Sequence, residues 1–158
     1  IVHLSGLIGA LSPDTGTFCL ELARAAKKYG TRIAFDLNYR ASFWKGREKE
    51  LSAIFSEIAS VADVLVGNEE DFQLCLGVKG PEAGGKDIKA QIASFKEMIK
   101  RVKKAYPNAS SQIVVRRSQD YGARRIGHEG AFRKGLEPLW QEILDWFDAG
   151  VSKAGPGA

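Results

Sequence analysis

Short apolar runs alternate with longer helical stripes through most of this chain, and that order admits few folds. Residues 1–4 form an apolar run closed by Ser5-Gly6, as expected of a buried strand feeding a loop. Ser12-Pro13-Asp14 then opens a helix in which Phe18, Leu22, Ala25, Ala26 and Tyr29 recur at helical spacing, and Gly30 stops it. A second strand is expected over 32–37, a helix over 48–59 with Leu51, Ile54, Phe55 and Ile58 on one face, and a third strand over 63–66. The order is βαβαβ. Parallel strands need crossover connections, and the crossovers bury the sheet. The expectation is therefore an α/β fold, a Rossmann-like doubly wound parallel sheet with helices on both faces.

The pattern continues past the third strand. Asn68 is placed to cap a short helix over 69–76, and Gly77 ends it. After a Gly/Pro loop, Ile88, Ile92, Phe95, Ile99 and Val102 make one stripe of a helix expected over 86–105, and a fourth strand is expected over 112–115. From 116 to 136 the helical stripes stop, and Asp120-Tyr121-Gly122 and His128-Glu129-Gly130 read as turns of a β-hairpin. Residues 140–147 have helical periodicity.

A chain of 158 residues is long enough for one domain with a substantial core. Its 44% hydrophobic and 27% charged residues are ordinary for a globular protein, and no apolar run approaches a membrane span. The formal charge of +4 is modest and the bases are interleaved with acids, so nothing calls for a nucleic-acid partner. The densest basic stretch holds Arg116, Arg117, Arg124, Arg125, Arg133 and Lys134, and reads either as a solvated hairpin or as a phosphate-facing strand. Cys19 and Cys75 fit neither a metal nor a redox spacing and are expected to be buried free thiols of a cytoplasmic protein. The opening residues carry no signal-peptide pattern and begin inside a strand, which implies a preceding portion of the fold; the Gly/Pro-rich residues 154–158 read as a disordered end.

In open α/β sheets ligands gather at the carboxyl ends of the strands. Here those ends are polar: Asp36-Leu37-Asn38-Tyr39-Arg40 follows the second strand and Gly67-Asn68-Glu69-Glu70-Asp71 the third. A guanidinium grips a carboxylate or phosphate through paired hydrogen bonds, and an amide offers sugar hydroxyls both a donor and an acceptor. Asn38 and Arg40 are therefore the substrate-binding candidates. Asn68 with its trailing acids has two readings, a helix N-terminus favoured by the dipole or part of a ligand site. His3 and His128 read as a strand residue and a turn residue.

The segments FDLNYRASFW and GNEEDF, together with His3-Leu4-Ser5-Gly6, resemble the sugar-binding and metal-proximal segments of ribokinase-like PfkB carbohydrate kinases, most closely 2-keto-3-deoxygluconate kinases. The resemblance covers residues 1–115 well and 116–158 weakly, within a single partial, truncated domain. It implies ATP and Mg2+ as cofactors, a sugar or sugar-acid substrate, no membrane or nucleic-acid partner, and an Asn-x-x-Glu motif near magnesium and phosphate. Asn68 matches that Asn, and Asp71 holds the acidic position with a shorter carboxylate. A homodimer is compatible with it.

The same resemblance calls for a catalytic Asp-x-x-Gly-Ala-Gly-Asp at the start of a helix, whose last Asp takes the proton from the sugar hydroxyl while backbone N–H groups hold the phosphoryl charge. The best counterpart starts at Asp145. Ala149 and Gly150 match the anion-hole positions, but Asp148 stands for the first Gly and Val151 for the base. On this alignment 140–147 would be strand and turn, against the helical periodicity; both readings stand. Two functions follow: ATP-dependent phosphorylation of a sugar acid such as 2-keto-3-deoxygluconate, with activity of this chain doubtful, or a non-catalytic sugar-acid-binding or interaction module. A generic nucleotide-binding Rossmann domain is disfavoured because no GxGxxG follows the first strand.

Overall fold

The computed structural model describes residues 1–81, 88–109, 118–123 and 134–152. It divides into two compact units, 1–113 and 114–158. The first contains strands β1 (Val2–Ser5), β2 (Ile33–Asp36) and β3 (Val64–Val66), in a parallel sheet of order β1-β2-β3. Helices α1 (Gly6–Ala10) and α2 (Pro13–Lys28) connect β1 to β2. Between β2 and β3 lie α3 (Ala41–Trp44) and α4 (Glu48–Val61), and β3 is followed by α5 (Glu69–Leu76) and α6 (Ile88–Ala105). The α/β alternation read from the sequence is thus present, with the three strands side by side. The short helices α1 and α3 are additions to it. The expected strand over 112–115 falls outside the described residues.

The register sets which side chains share a face. Leu4, Phe35 and Leu65 lie in one row across the sheet, and Ser5, Asp36 and Val66 form the next row, on the opposite face. The first row meets the helices: Phe35 packs edge-on to Phe55 of α4 at 5.2 Å, and α2 lies against α4. Leu51, Phe55, Ile58 and Ala59 are the buried stripe of α4, close to the stripe expected.

For α2 the expected stripe is displaced. Phe18 and Tyr29 are exposed, at 60% and 79%, and the buried residues are Gly16, Cys19, Ala23 and Ala26. Small side chains allow close approach: a Cβ on Gly16 would stand 3.0 Å from the Gly9 carbonyl oxygen and 3.1 Å from Ile54. A face made of small residues gives a weak apolar signal, so the bulkier outer face dominates the periodicity. The caps were legible. Ser12 and Thr15 form a reciprocal capping box at the start of α2, and Gly77, in the left-handed region at φ 66°, ends α5. Along α6, Met98 is the buried centre, flanked by partly buried Phe95 and Val102.

In the second unit, residues 118–121 form a 3-10 turn followed by Gly122 at φ 67°, and most of the expected hairpin falls outside the described residues. Helix α7 runs from Glu137–Ser152. The helical reading of 140–147 therefore holds over the strand-and-turn alternative.

Candidate functional site

The carboxyl ends of all three strands are tied together by polar groups. Beyond the last sheet pair, Leu37 N–H donates to the Val66 carbonyl at 2.9 Å, which carries the chain after β2 alongside the end of β3. On the other side the β1–α1 corner sits on β2's exit: a Cβ at Gly6 would fall 2.0 Å from the Leu37 carbonyl oxygen. Only glycine fits there. That approach brings Ser5 to Asn38, whose side-chain amide donates to Ser5 Oγ over a long 3.4 Å. Asn38 itself has φ 41°, the left-handed region that asparagine tolerates better than other non-glycine residues.

The next residues face β3's exit. Tyr39 N–H donates to Asp71 Oδ1 at 2.8 Å, and Asn68 N–H donates to Asp71 Oδ2 at 2.8 Å. Asp71 N–H in turn donates to Asn68 Oδ1 at 2.9 Å, completing a capping box at the start of α5. Asp71 is buried, 8% exposed, whereas Asn68 is exposed. Arg40 is exposed as well. Its guanidinium donates to the Tyr39 carbonyl at 2.8 Å, and among the described residues it is in no ion pair, so most of its donors remain available to a ligand.

Asp36 lies beneath this edge with its carboxyl raised above the ordinary aspartate range. Burial is the main cause and the Asp71 charge adds to it, while His3, Arg40 and the Asn38 backbone N–H pull the other way. Arg40 is thus near enough for its charge to act at Asp36. A raised carboxyl binds its proton more tightly in the folded than in the unfolded state, so stability falls as pH rises from the unfolded value through the folded one. Asp36→Asn does not titrate. Its thermal stability relative to the unmodified chain should therefore grow across that window and stay constant above it; a melting-temperature difference that is flat in pH from 3 to 7 would refute this.

The two thiols are buried and free, as expected, and burial pushes both upward, the Asp71 charge contributing at Cys75. Neither is suited to act as a thiolate.

The structure thus joins the loop of Asn38 and Arg40 to Asp71 and Asn68, the four positions singled out in the sequence. Ser5 and Asp36 also belong to this edge; their positions opposite one another follow from the strand register, which the sequence alone does not fix. Ala149, Gly150 and Val151 lie in the second unit within α7, near its carboxyl-terminal end. Inside a helix the N–H groups point at carbonyls four residues back, and free N–H donors exist only in the first turn. This placement does not supply an anion hole.

Magnesium, implied by the resemblance, can be tested against the donor set. Both Asp71 oxygens already accept a main-chain N–H, Asn68 Oδ1 accepts another, and no cluster of His, Cys, Asp or Glu among the described residues is arranged to hold a metal. Mg2+ needs an open octahedral set of oxygens. The residues here do not fit a directly held ion.

Comparison with known proteins accords with the α/β fold. Residues 1–120 match the model of the pfkB family carbohydrate kinases. The 5-dehydro-2-deoxygluconokinase of Clostridium perfringens is 35% identical over 97% of this chain, and that of Clostridium tetani is 30% identical over 97%. The chain spans 40% of the length of these curated relatives. The crystal structure of 2-dehydro-3-deoxygluconokinase from Thermotoga maritima superposes with a TM-score of 0.54 at 25% identity, over 66% of this chain and 29% of that one. Three parallel strands with laced carboxyl ends, and a family match over three-quarters of the sequence, establish that the chain belongs to the pfkB family of carbohydrate kinases.

Proposed function

We propose that this chain carries the sugar-acid-binding edge of an ATP-dependent carbohydrate kinase, with a deoxy-keto derivative of gluconate as its ligand. The observation that carries the reading is the loop Asn38–Tyr39–Arg40, held at the sheet's carboxyl edge by Asp71 while the Arg40 guanidinium stays exposed and outside any ion pair among the described residues. Arg40 would receive the ligand's carboxylate and the Asn38 amide a hydroxyl, with Asn68 at the neighbouring strand end. The relatives' names point to two such compounds, 5-dehydro-2-deoxygluconate and 2-dehydro-3-deoxygluconate. Both offer a carboxylate and hydroxyls, so this edge alone does not rank them. ATP is the phosphoryl donor by family; placement in the cytoplasm belongs to the same proposal and is supported by the two buried free thiols.

A second reading, binding without transfer, is favoured by one feature: Val151, which the resemblance aligns with the base, offers no proton acceptor. Calorimetry separates the two. Both readings expect binding of at least one of the two sugar acids, and only the kinase reading expects ATP-Mg to bind too. A hydrogen bond to a charged group is worth roughly 1.5–3 kcal/mol, so Arg40→Ala should weaken sugar-acid binding by about tenfold or more. Unchanged affinity in that variant would remove Arg40 from the site.

A further inference from the structure

The residues at the acidic end of the Asn-x-x-Asp segment do not fit a metal site, and their hydrogen bonds define another role. We infer that Asp71 is a positioning residue, whose carboxylate staples the Asn38–Arg40 loop after β2 to the start of α5 after β3. This rests on the reading of that loop as the sugar-acid edge.

The geometry is specific to a carboxylate. One oxygen accepts from Tyr39 N–H, 32 positions earlier in sequence, and the other from Asn68 N–H, each at 2.8 Å. Its backbone is fixed as well, since Asp71 N–H donates to Asn68 Oδ1. A side-chain amide of the same size has one accepting oxygen and one donating nitrogen, so it satisfies one of these N–H groups and opposes the other. The near-complete burial of Asp71 leaves little room for water to replace a lost acceptor.

The loop needs such a staple. Asn38 holds a left-handed backbone that costs free energy unless its surroundings impose it, and its side-chain bond to Ser5 is long. Tyr39 N–H is the next main-chain donor after that turn. Fixing it sets where residue 40 leaves the sheet edge, and hence where the guanidinium stands. Asp71 also adjoins the Gly67 backbone: a Cβ on Gly67 would lie 3.1 Å from Asp71 Cβ. The capping box and the staple are thus one assembly.

Amide hydrogen exchange in magnesium-free buffer tests this, with strand amides such as Phe35 and Leu65 as internal references. In the unmodified chain Tyr39 N–H should be protected well above an open loop amide. In Asp71→Asn its exchange should rise by about tenfold or more relative to Phe35 and Leu65, and the affinity for the bound sugar acid should fall at least about fivefold with magnesium still absent. An unprotected Tyr39 amide in the unmodified chain overturns the staple, even if the variant does not fold. So does unchanged Tyr39 exchange in a folded variant, or faster exchange with unchanged affinity. Should the unmodified chain bind neither sugar acid, the functional reading fails, and the exchange measurements still decide the staple.

Discussion

Mixed with ATP, Mg2+ and either keto-deoxygluconate, the 158-residue polypeptide by itself is expected to release ADP at least about 10²-fold more slowly than an active kinase of its family. The argument is chemical. A positioned general base contributes on the order of 10²–10⁴ in rate, and Val151 has no atom that accepts a proton. Asp148, three residues earlier, stands where the resemblance calls for a glycine of the anion-holding turn, and there it would set negative charge against the transferring phosphoryl group. The placement compounds the substitution, because these residues continue the same helix, α7, that begins at Glu137. Val151→Asp combined with Asp148→Gly should therefore recover little: it restores residue types without creating a helix N-terminus. A coupled ADP-release assay measures this directly. Robust turnover by the unmodified chain, abolished in Arg40→Ala, would show that another segment supplies the base.

Much of the fold was legible because its signals are local. Ser12-Pro13 and Asn68 announce helix starts, Gly30 and Gly77 announce stops, and the apolar runs between them have strand length. Proximity information is what the sequence lacks. Apart from Ala26 the α2 stripe is displaced, because Gly16, Cys19 and Ala23 are small and give a weaker apolar signal than Phe18, Leu22 and Tyr29, yet they permit the close contact with α1 and α4. Helices α1 and α3 were missed for another reason: each is about one turn long, too short to show a period.

The site divides along the same line. Asn38, Arg40, Asn68 and Asp71 stand out as polar groups at strand ends, a position that sequence order supplies. The partner of each is a long-range fact. Nothing local announces that the Asp71 carboxylate accepts the Tyr39 N–H, so the resemblance alone assigns it to magnesium while its geometry points to the backbone. Asp36 is similar: its raised carboxyl depends on burial and on Asp71, thirty-five residues away.

Replacing Phe55 should be the most damaging single truncation in the first unit. The ring is fully buried and packs edge-on to two others, Phe35 at 5.2 Å and Trp44 at 5.0 Å. It also lies directly beneath the β1–α1 corner, where its edge would be 2.7 Å from a Cβ at Gly6. Phe→Ala in a packed core costs roughly 3–5 kcal/mol through lost burial and the remaining cavity, against a total stability of about 5–15 kcal/mol for a typical domain. The melting temperature of Phe55→Ala should accordingly fall by about 10 °C or more. Phe18→Ala serves as the control, because that ring is 60% exposed and its loss should change stability by less than about 0.5 kcal/mol. The damage should also reach the binding edge. Phe35, Phe55, Trp44 and Tyr39 form a continuous aromatic chain, the last pair 5.3 Å apart, which runs from the sheet to the loop bearing Arg40. Phe55→Ala should thus raise the exchange rate of the Tyr39 amide under conditions where the variant is still folded, whereas Phe18→Ala should not. Equal destabilisation by the two variants would mean that α2 packs through the face carrying Phe18, and that the core is not centred on Phe55.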